Sequence, residues 1–326
     1  MKTAVITGIT GQDGSFLSEL LLDKGYQIVG IVRRSAMEDK KFYNIQHILD
    51  NKNLILENGD LTDSSSIWRI VQKYKPDEFY NLAAQSHVGA SFTSPESTLE
   101  INATGVLNCL EAIKNINPST KFYQASTSEM YGDNSAAPQN ELTPFSPVSP
   151  YACSKVAAHN LVVNYRKAYD LFACSGILFN HESERRGEQF VTRKITKAAA
   201  RITLGIQKEL RLGNLDAKRD WGYAKEYVEV MWKMLQHETP DDYVVGTGKT
   251  YTIREFISCV SEIVGYDIMQ YVVIDDTFKR PSEVPLLQAN PSKARNILGW
   301  SPKISLKELA EIMYKSDLEK EKQNVR

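Results

Sequence analysis

The stretch Thr7-Gly8-Ile9-Thr10-Gly11-Gln12-Asp13-Gly14 constrains this chain more than any other. A β-branched run at residues 4–7 precedes it, and apolar residues recur every three to four positions through residues 14–24. A strand therefore runs into a helix through a turn with glycines at i, i+3 and i+6. Residues without side chains let a pyrophosphate reach the amides of a helix N-terminus, where the dipole favours negative charge. Spaced glycines also occur in plain structural turns, but the flanking strand and helix favour a dinucleotide site. Its candidate contacts are Gly8, Thr10, Gly11, Gln12, Asp13 and Gly14.

Residues 27–32, 54–57, 78–82, 122–125 and 172–178 read as further strands, and 64–74, 99–116 and 154–169 as helices. This alternation predicts an α/β fold, a Rossmann-type doubly wound parallel sheet. After about residue 180 come charged helices such as 192–204, a Gly213-Asn214 turn and a proline-bearing segment at 281–291. The reading divides the chain into a cofactor domain, 1–180, and a smaller α/β substrate domain, 181–326. Some segments of the second are expected to return to the first sheet. Ligands bind such sheets at the carboxyl edge of the strands.

The 326 residues suffice for that plan, and 42% hydrophobic with 24% charged residues is an ordinary globular mixture. Lys plus Arg is 39 against 40 for Asp plus Glu, a net charge of −1 that offers no global field to nucleic acid or acidic membrane. No apolar run is long enough for a membrane span, and the N-terminus lacks a signal-peptide pattern. Four scattered cysteines without a Cys-x-x-Cys pair argue against a zinc site or a disulfide scaffold. The expectation is a cytoplasmic enzyme with no metal and no nucleic-acid or membrane partner.

The second strand ends at Arg33-Arg34, where an NAD site usually places an acidic residue. Arginine suits a 2′-phosphate, which favours NADP, although a solvated basic turn would look the same. Asp60, in Gly59-Asp60-Leu61-Thr62-Asp63, follows the third strand and can accept from an adenine amino group or cap the next helix. Asp63 is the better cap candidate.

Tyr151-Ala152-Cys153-Ser154-Lys155 puts a phenol and an ammonium on one helix face, behind Pro150. A nearby ammonium favours phenolate, which makes tyrosine a usable base. With the glycine loop, this pair identifies the first 180 residues as resembling the short-chain dehydrogenase/reductase superfamily. Ala125-Ser126-Thr127-Ser128-Glu129-Met130-Tyr131-Gly132 reads as a strand end and, alone, as a solvated turn. Beside a cofactor it resembles the signature of nucleotide-sugar 4,6-dehydratases, in which Glu129 is the discriminating residue.

Three further stretches, residues 178–187, 190–195 and 213–222, resemble the GDP-mannose 4,6-dehydratase family, as does Arg280-Pro281-Ser282-Glu283-Val284. The resemblance covers nearly the whole chain and is weakest at residues 36–54. It implies hydride transfer by Thr127, Tyr151 and Lys155, with Glu129 as the C5 acid/base. It implies cofactor contacts from Leu61, Leu82, Ala83, Ala84, Ser86, His181 and Arg186, besides Tyr151 and Lys155. Ser86, Ser126 and Asn180 would meet the substrate, and Lys194, Arg219, Arg280 and Glu283 its nucleotide diphosphate. Ser128 stands where deoxythymidine-diphosphate-sugar enzymes carry the acid that protonates the leaving hydroxyl, so Glu129 or a water it orients takes that task. The implied cofactor is NADP and the implied partner a GDP-sugar. The implied assembly is a homodimer or homotetramer, in which residues 33–41 reach a neighbouring cofactor. Alternatives are a dehydratase of a related GDP-sugar such as GDP-manno-heptose, a GDP-4-keto-6-deoxy-sugar reductase, or a non-catalytic NADP-binding sensor.

Overall fold

The computed structural model describes residues 1–34, 42–134, 136–278, 281–282 and 284–325. β1 (Thr3–Thr7) leads through the glycine turn into α1 (Gln12–Asp23), followed by β2 (Gln27–Val32), β3 (Leu54–Asn58), α2 (Ser64–Tyr74) and β4 (Glu78–Asn81). Two short helices, α3 (Val88–Ser91) and α4 (Pro95–Leu99), precede α5 (Gly105–Ile116), β5 (Lys121–Thr127), α6 (Pro150–Tyr169) and β6 (Ala173–Leu178). The later chain adds β7 (Asn180–Glu182), α7 (Val191–Thr203), β8 (Leu210–Leu212), β9 (Lys218–Arg219) and β10 (Trp221–Tyr223). After these come α8 (Ala224–Gln236), β11 (Asp242–Val245), β12 (Tyr251–Thr252), α9 (Ile253–Val264), β13 (Val272–Ile274), α10 (Ser292–Leu298) and α11 (Leu306–Val325).

The expected parallel sheet is present, with seven strands in the order β11-β6-β5-β4-β1-β2-β3. Strand order reverses between β1 and β4, the position at which open α/β sheets take ligands. Local chemistry sets the helix starts. Asp63 caps α2 by accepting from Ser65 N at 3.1 Å, and Ser149 with Pro150 starts α6 one turn earlier than the apolar spacing predicted. The helix expected over 99–116 is instead broken by a π-helical turn at Glu100–Thr104. There Asn102 turns inward, accepting from Gln85 N and donating to Gln85 O and Ser154 Oγ.

Two apolar layers sandwich the sheet. Phe16, Leu17, Val230 and Met231 of α1 and α8 cover one face. Ile67, Leu110 and Val162 of α2, α5 and α6 meet Val5, Phe79 and Phe122 on the other. A third layer, with Ile195, Phe256 and Met313, joins α7, α9 and α11. Truncating a fully buried ring such as Phe122 to alanine costs about 3–5 kcal/mol. Residues after 180 thus contribute both a strand and a covering helix to the first sheet, and a separate layer roofs its carboxyl edge.

Candidate active site

The carboxyl ends of β1, β4, β5 and β6 open into a cleft of about 770 Å³. Gly8 at its floor has φ of +68°, and a Cβ on Gly14 would lie 2.3 Å from the Gly8 carbonyl oxygen. Both positions demand glycine. Gly11 caps α1 without a side-chain hydrogen bond, so the first amides of that helix face the cleft without a side-chain acceptor. A dinucleotide pyrophosphate fits this cradle on charge and on space. Thr10, Gln12 and Asp13 line it, as do Leu82, Ala83, Ala84 and Ser86 beyond β4. Amides of Leu82 and Ala83 donate to Thr7 Oγ1, each at 3.0 Å, which fixes that second rim.

α6 brings Tyr151 and Lys155 against the end of β5. Lys155 Nζ donates to the Ala125 carbonyl oxygen at 3.0 Å and lies 5.9 Å from the Tyr151 ring centroid. The Tyr151 hydroxyl is hydrogen-bonded to Thr127. Thr127 Oγ1 also accepts from Glu129 N at 3.3 Å, which turns the chain so that Glu129 joins the same wall. Burial pushes the Tyr151 phenol up to about 12, against the Thr127 hydrogen bond; the Glu129 charge adds to the rise and Arg186 opposes it. Burial also pulls Lys155 down to about 8. Burial is thus the largest influence on both groups, and the expected lowering of the phenol by its lysine does not emerge.

The opposite wall comes from beyond β6. Asn180 Oδ1 is buried there without a protein partner, and Ser126 and Ser128 line the cleft from the end of β5. His181 bonds Asp13 and the Phe179 carbonyl oxygen through its two ring nitrogens, and stacks on Tyr227 at 4.8 Å. Arg186 pairs with Glu182 at 3.1 Å and lies over the Phe190 ring. Lys194 sits 3.7 Å over the Phe278 ring, its pKa lowered by burial against the pull of Asp275. Arg219 donates to the Val284 carbonyl oxygen at 2.8 Å, and both Lys194 and Arg219 reach the cleft.

Four expected contacts stand outside the cleft lining. Arg33 and Arg34 are exposed at the end of β2. Asp60 accepts from Thr62 N and Oγ1, and Leu61 buries its side chain beside α5. Arg280 and Glu283 lie outside the described residues, as do residues 35–41. Phe190 and Phe278, which carry no signature in the sequence, seat the cations Arg186 and Lys194; Phe190 is only four residues from Arg186, whereas Phe278 meets Lys194 only through the fold. Nor does the sequence single out Asp220, whose buried carboxylate accepts from Thr247 N, Thr247 Oγ1, Gly248 N and Ala289 N and so anchors the strand segment carrying Arg219.

Comparison with known proteins shows the family. The family described as GDP-mannose 4,6 dehydratase matches residues 5–313. GDP-mannose 4,6 dehydratase 1 of Arabidopsis thaliana is 51% identical, over 98% of this chain and 90% of its own length. GDP-mannose 4,6-dehydratase of Vibrio cholerae is 48% identical, over 97% of this chain and 94% of its own. Among solved structures, dTDP-glucose 4,6-dehydratase from Bacillus anthracis, in complex with NAD, shares the fold with a TM-score of 0.85. It is 20% identical and the match covers 100% of both chains. On the family match and these relatives, this chain belongs to the GDP-mannose 4,6-dehydratase family.

Proposed function

We propose that the chain is a hydro-lyase that converts GDP-mannose to GDP-4-keto-6-deoxymannose, with NADP as its resident cofactor, in a homo-oligomer. The observation that carries the reading is Glu129: a carboxylate in the wall of a dinucleotide cleft, close enough to Tyr151 to raise its phenol. Oxidation and reduction alone need no such group; elimination of water does. Bound on the Gly8–Gly14 cradle, a nicotinamide cofactor would supply the hydride acceptance at C4 and its return at C6.

The protein handles the protons. Tyr151, held by Thr127, takes the proton of the 4-hydroxyl as C4 becomes a ketone. Lys155, fixed on Ala125 O, places an ammonium beside the phenol and favours its anion. The 4-ketone acidifies the C5 hydrogen, and Glu129 removes it. The hydroxyl at C6 leaves with a proton from Glu129 or from a water that Glu129 orients. As hydride reaches C6, Glu129, reprotonated from solvent, returns a proton to C5, and Tyr151 releases its proton to solvent. Tyr151 thus serves the oxygen at C4, and Glu129 the protons at C5 and C6. Lys194 and Arg219, on the far wall, are the candidate clamps for the diphosphate.

The test is a single incubation of purified protein with GDP-mannose and no added reductant. The expected product has lost one water and carries a 4-keto group. Product that appears only with stoichiometric NADPH consumption would make this a reductase, and none at all rejects GDP-mannose as substrate.

A further inference from the structure

Three successive turns of one α6 face grip three consecutive residues at the end of β5. Tyr151 is hydrogen-bonded to the Thr127 side chain, Lys155 Nζ donates to Ala125 O at 3.0 Å, and His159 Nδ1 lies 3.1 Å from Ser126 Oγ. Residues four apart share a helix face, so the three contacts form one seam. Its first two rungs are visible in sequence as Tyr-x-x-x-Lys, whereas the third is not.

His159 is 5% exposed, and its ring stands edge-on to Phe145 at 5.2 Å. Its Nε2 faces Asp242 Oδ2 at 3.8 Å, and Arg166 neutralises Asp242 through two hydrogen bonds. Asp242 opens β11, the strand that closes this edge of the sheet. A carboxylate facing Nε2 favours the tautomer with its proton there, which leaves Nδ1 to accept from the Ser126 hydroxyl. The imidazole therefore joins α6 to β5 on one side and to β11 on the other.

We propose that His159 is a positioning residue: it fixes the tip of β5 against α6 and so sets Thr127 on Tyr151 and Ala125 on Lys155. The inference rests on the reading that Tyr151 and Lys155 perform the chemistry. A displacement of about 1 Å at reacting groups can cost up to about a hundredfold in rate. A contact that only stabilises the fold would lower the melting temperature and leave the kinetics unchanged.

Three variants separate the two cases. His159→Phe keeps the ring and its contact with Phe145 but removes both nitrogens. His159→Asn restores a polar atom near the place of Nδ1, and His159→Gln one near Nε2. With GDP-mannose, His159→Phe is expected to lose about tenfold or more in kcat with KM nearly unchanged, His159→Asn to recover most of the loss, and His159→Gln not to recover it. Melting temperatures are measured for each. A kcat for His159→Phe within twofold of wild type overturns the proposal, as does rescue by Gln equal to rescue by Asn. If the phenylalanine variant fails to fold, the Asn–Gln comparison decides. If wild type fails to turn over GDP-mannose, the functional reading falls separately. The inference is then read from alkaline absorbance titration with NADP bound, each protein minus its Tyr151→Phe counterpart. A Tyr151 midpoint displaced in the Gln variant and restored in the Asn variant supports it, and one midpoint in all three overturns it.

Discussion

His181 Nε2 lies 2.8 Å from Asp13 Oδ2, joining β7 to the first turn of α1. The other ring nitrogen is 2.8 Å from the Phe179 carbonyl oxygen. Both partners are acceptors, so the ring needs both of its protons to satisfy them. Burial works against the imidazolium, but the Asp13 charge and hydrogen bond outweigh it and raise His181 above 6.5. Asp13, despite its burial, is held below 3.8 by the same pair. Around it, Gln12 Nε2 donates to His181 O at 3.1 Å and Ser183 Oγ donates to Gln12 Oε1 at 2.8 Å. The glycine loop is thus clamped to the segment that carries Asn180, and the floor and far wall of the cleft share one frame.

This clamp has a pH signature. Asp13, with a folded pKa below 3.8, contributes stability above that value and loses it as pH falls through the folded pKa. His181, raised above 6.5, contributes fully below 6.5 and loses its part as pH rises through the folded pKa. The pair therefore counts most between the two. Asp13→Asn is expected to cost about 1.5–3 kcal/mol at pH 6 by urea unfolding, and less at pH 9. The same cost at both pH values would mean that no imidazolium is involved.

In the proposed mechanism Lys155 gives up stability for activity. Its folded pKa of about 8 lies below the ordinary 10.5, so the folded chain resists the charged form and the protein gains stability as pH rises from about 8 to 10.5. Lys155→Met removes that penalty along with the hydrogen bond to Ala125 O. At pH 7 the variant should be inactive yet more stable, by an amount on the order of 2 kcal/mol. The gain should shrink toward pH 10. A less stable variant at pH 7 would show that the hydrogen bond outweighs the desolvation.

Cofactor preference is expected to follow Arg33 and Arg34, which lie exposed at the end of β2 and lead out of the described residues. A charge-assisted contact to a 2′-phosphate is worth about 1.5–3 kcal/mol, or one to two decades in affinity. Replacing both with alanine should weaken NADP far more than NAD in calorimetric titrations. Equal losses refute a role in 2′-phosphate recognition.

Local signals made the frame of the site legible. Gly8 and Gly14 stand where backbone crowding forbids a side chain, and Asp63 caps α2 as its side-chain chemistry suggests. What escaped was non-local. β11 is four residues, Asp242–Val245, with no periodicity, and it pairs with a strand far earlier in the chain. β9 and β12 are two residues each, shorter than any pattern. A histidine within α6 reads as ordinary helix surface until Ser126 and Asp242 are brought to its two nitrogens. The sign at Tyr151 was also hidden: spacing reveals the ammonium, but burial depends on the fold.

Glu129 carries the most decisive prediction, because it separates two steps that share one cleft. Glu129→Gln keeps the shape of the side chain and removes its ability to take a proton. In the proposed mechanism oxidation at C4 depends on Tyr151, Thr127 and Lys155, so it should persist, and reduced-cofactor absorbance should build up or remain in a single turnover with GDP-mannose. Acid–base groups contribute about 10²–10⁴-fold, and overall turnover should fall by that order. In heavy water, substrate recovered from the variant should carry little deuterium at C5, whereas wild-type product should carry it. The same substitution deletes a charge that raises the Tyr151 phenol, so the acid limb of the residual oxidation should move to lower pH. Arg186→Gln removes an opposing charge and should move that limb to higher pH. Near-normal turnover in Glu129→Gln would assign the C5 proton to another group, and an unmoved acid limb would place the Glu129 charge too far from Tyr151 to act on it.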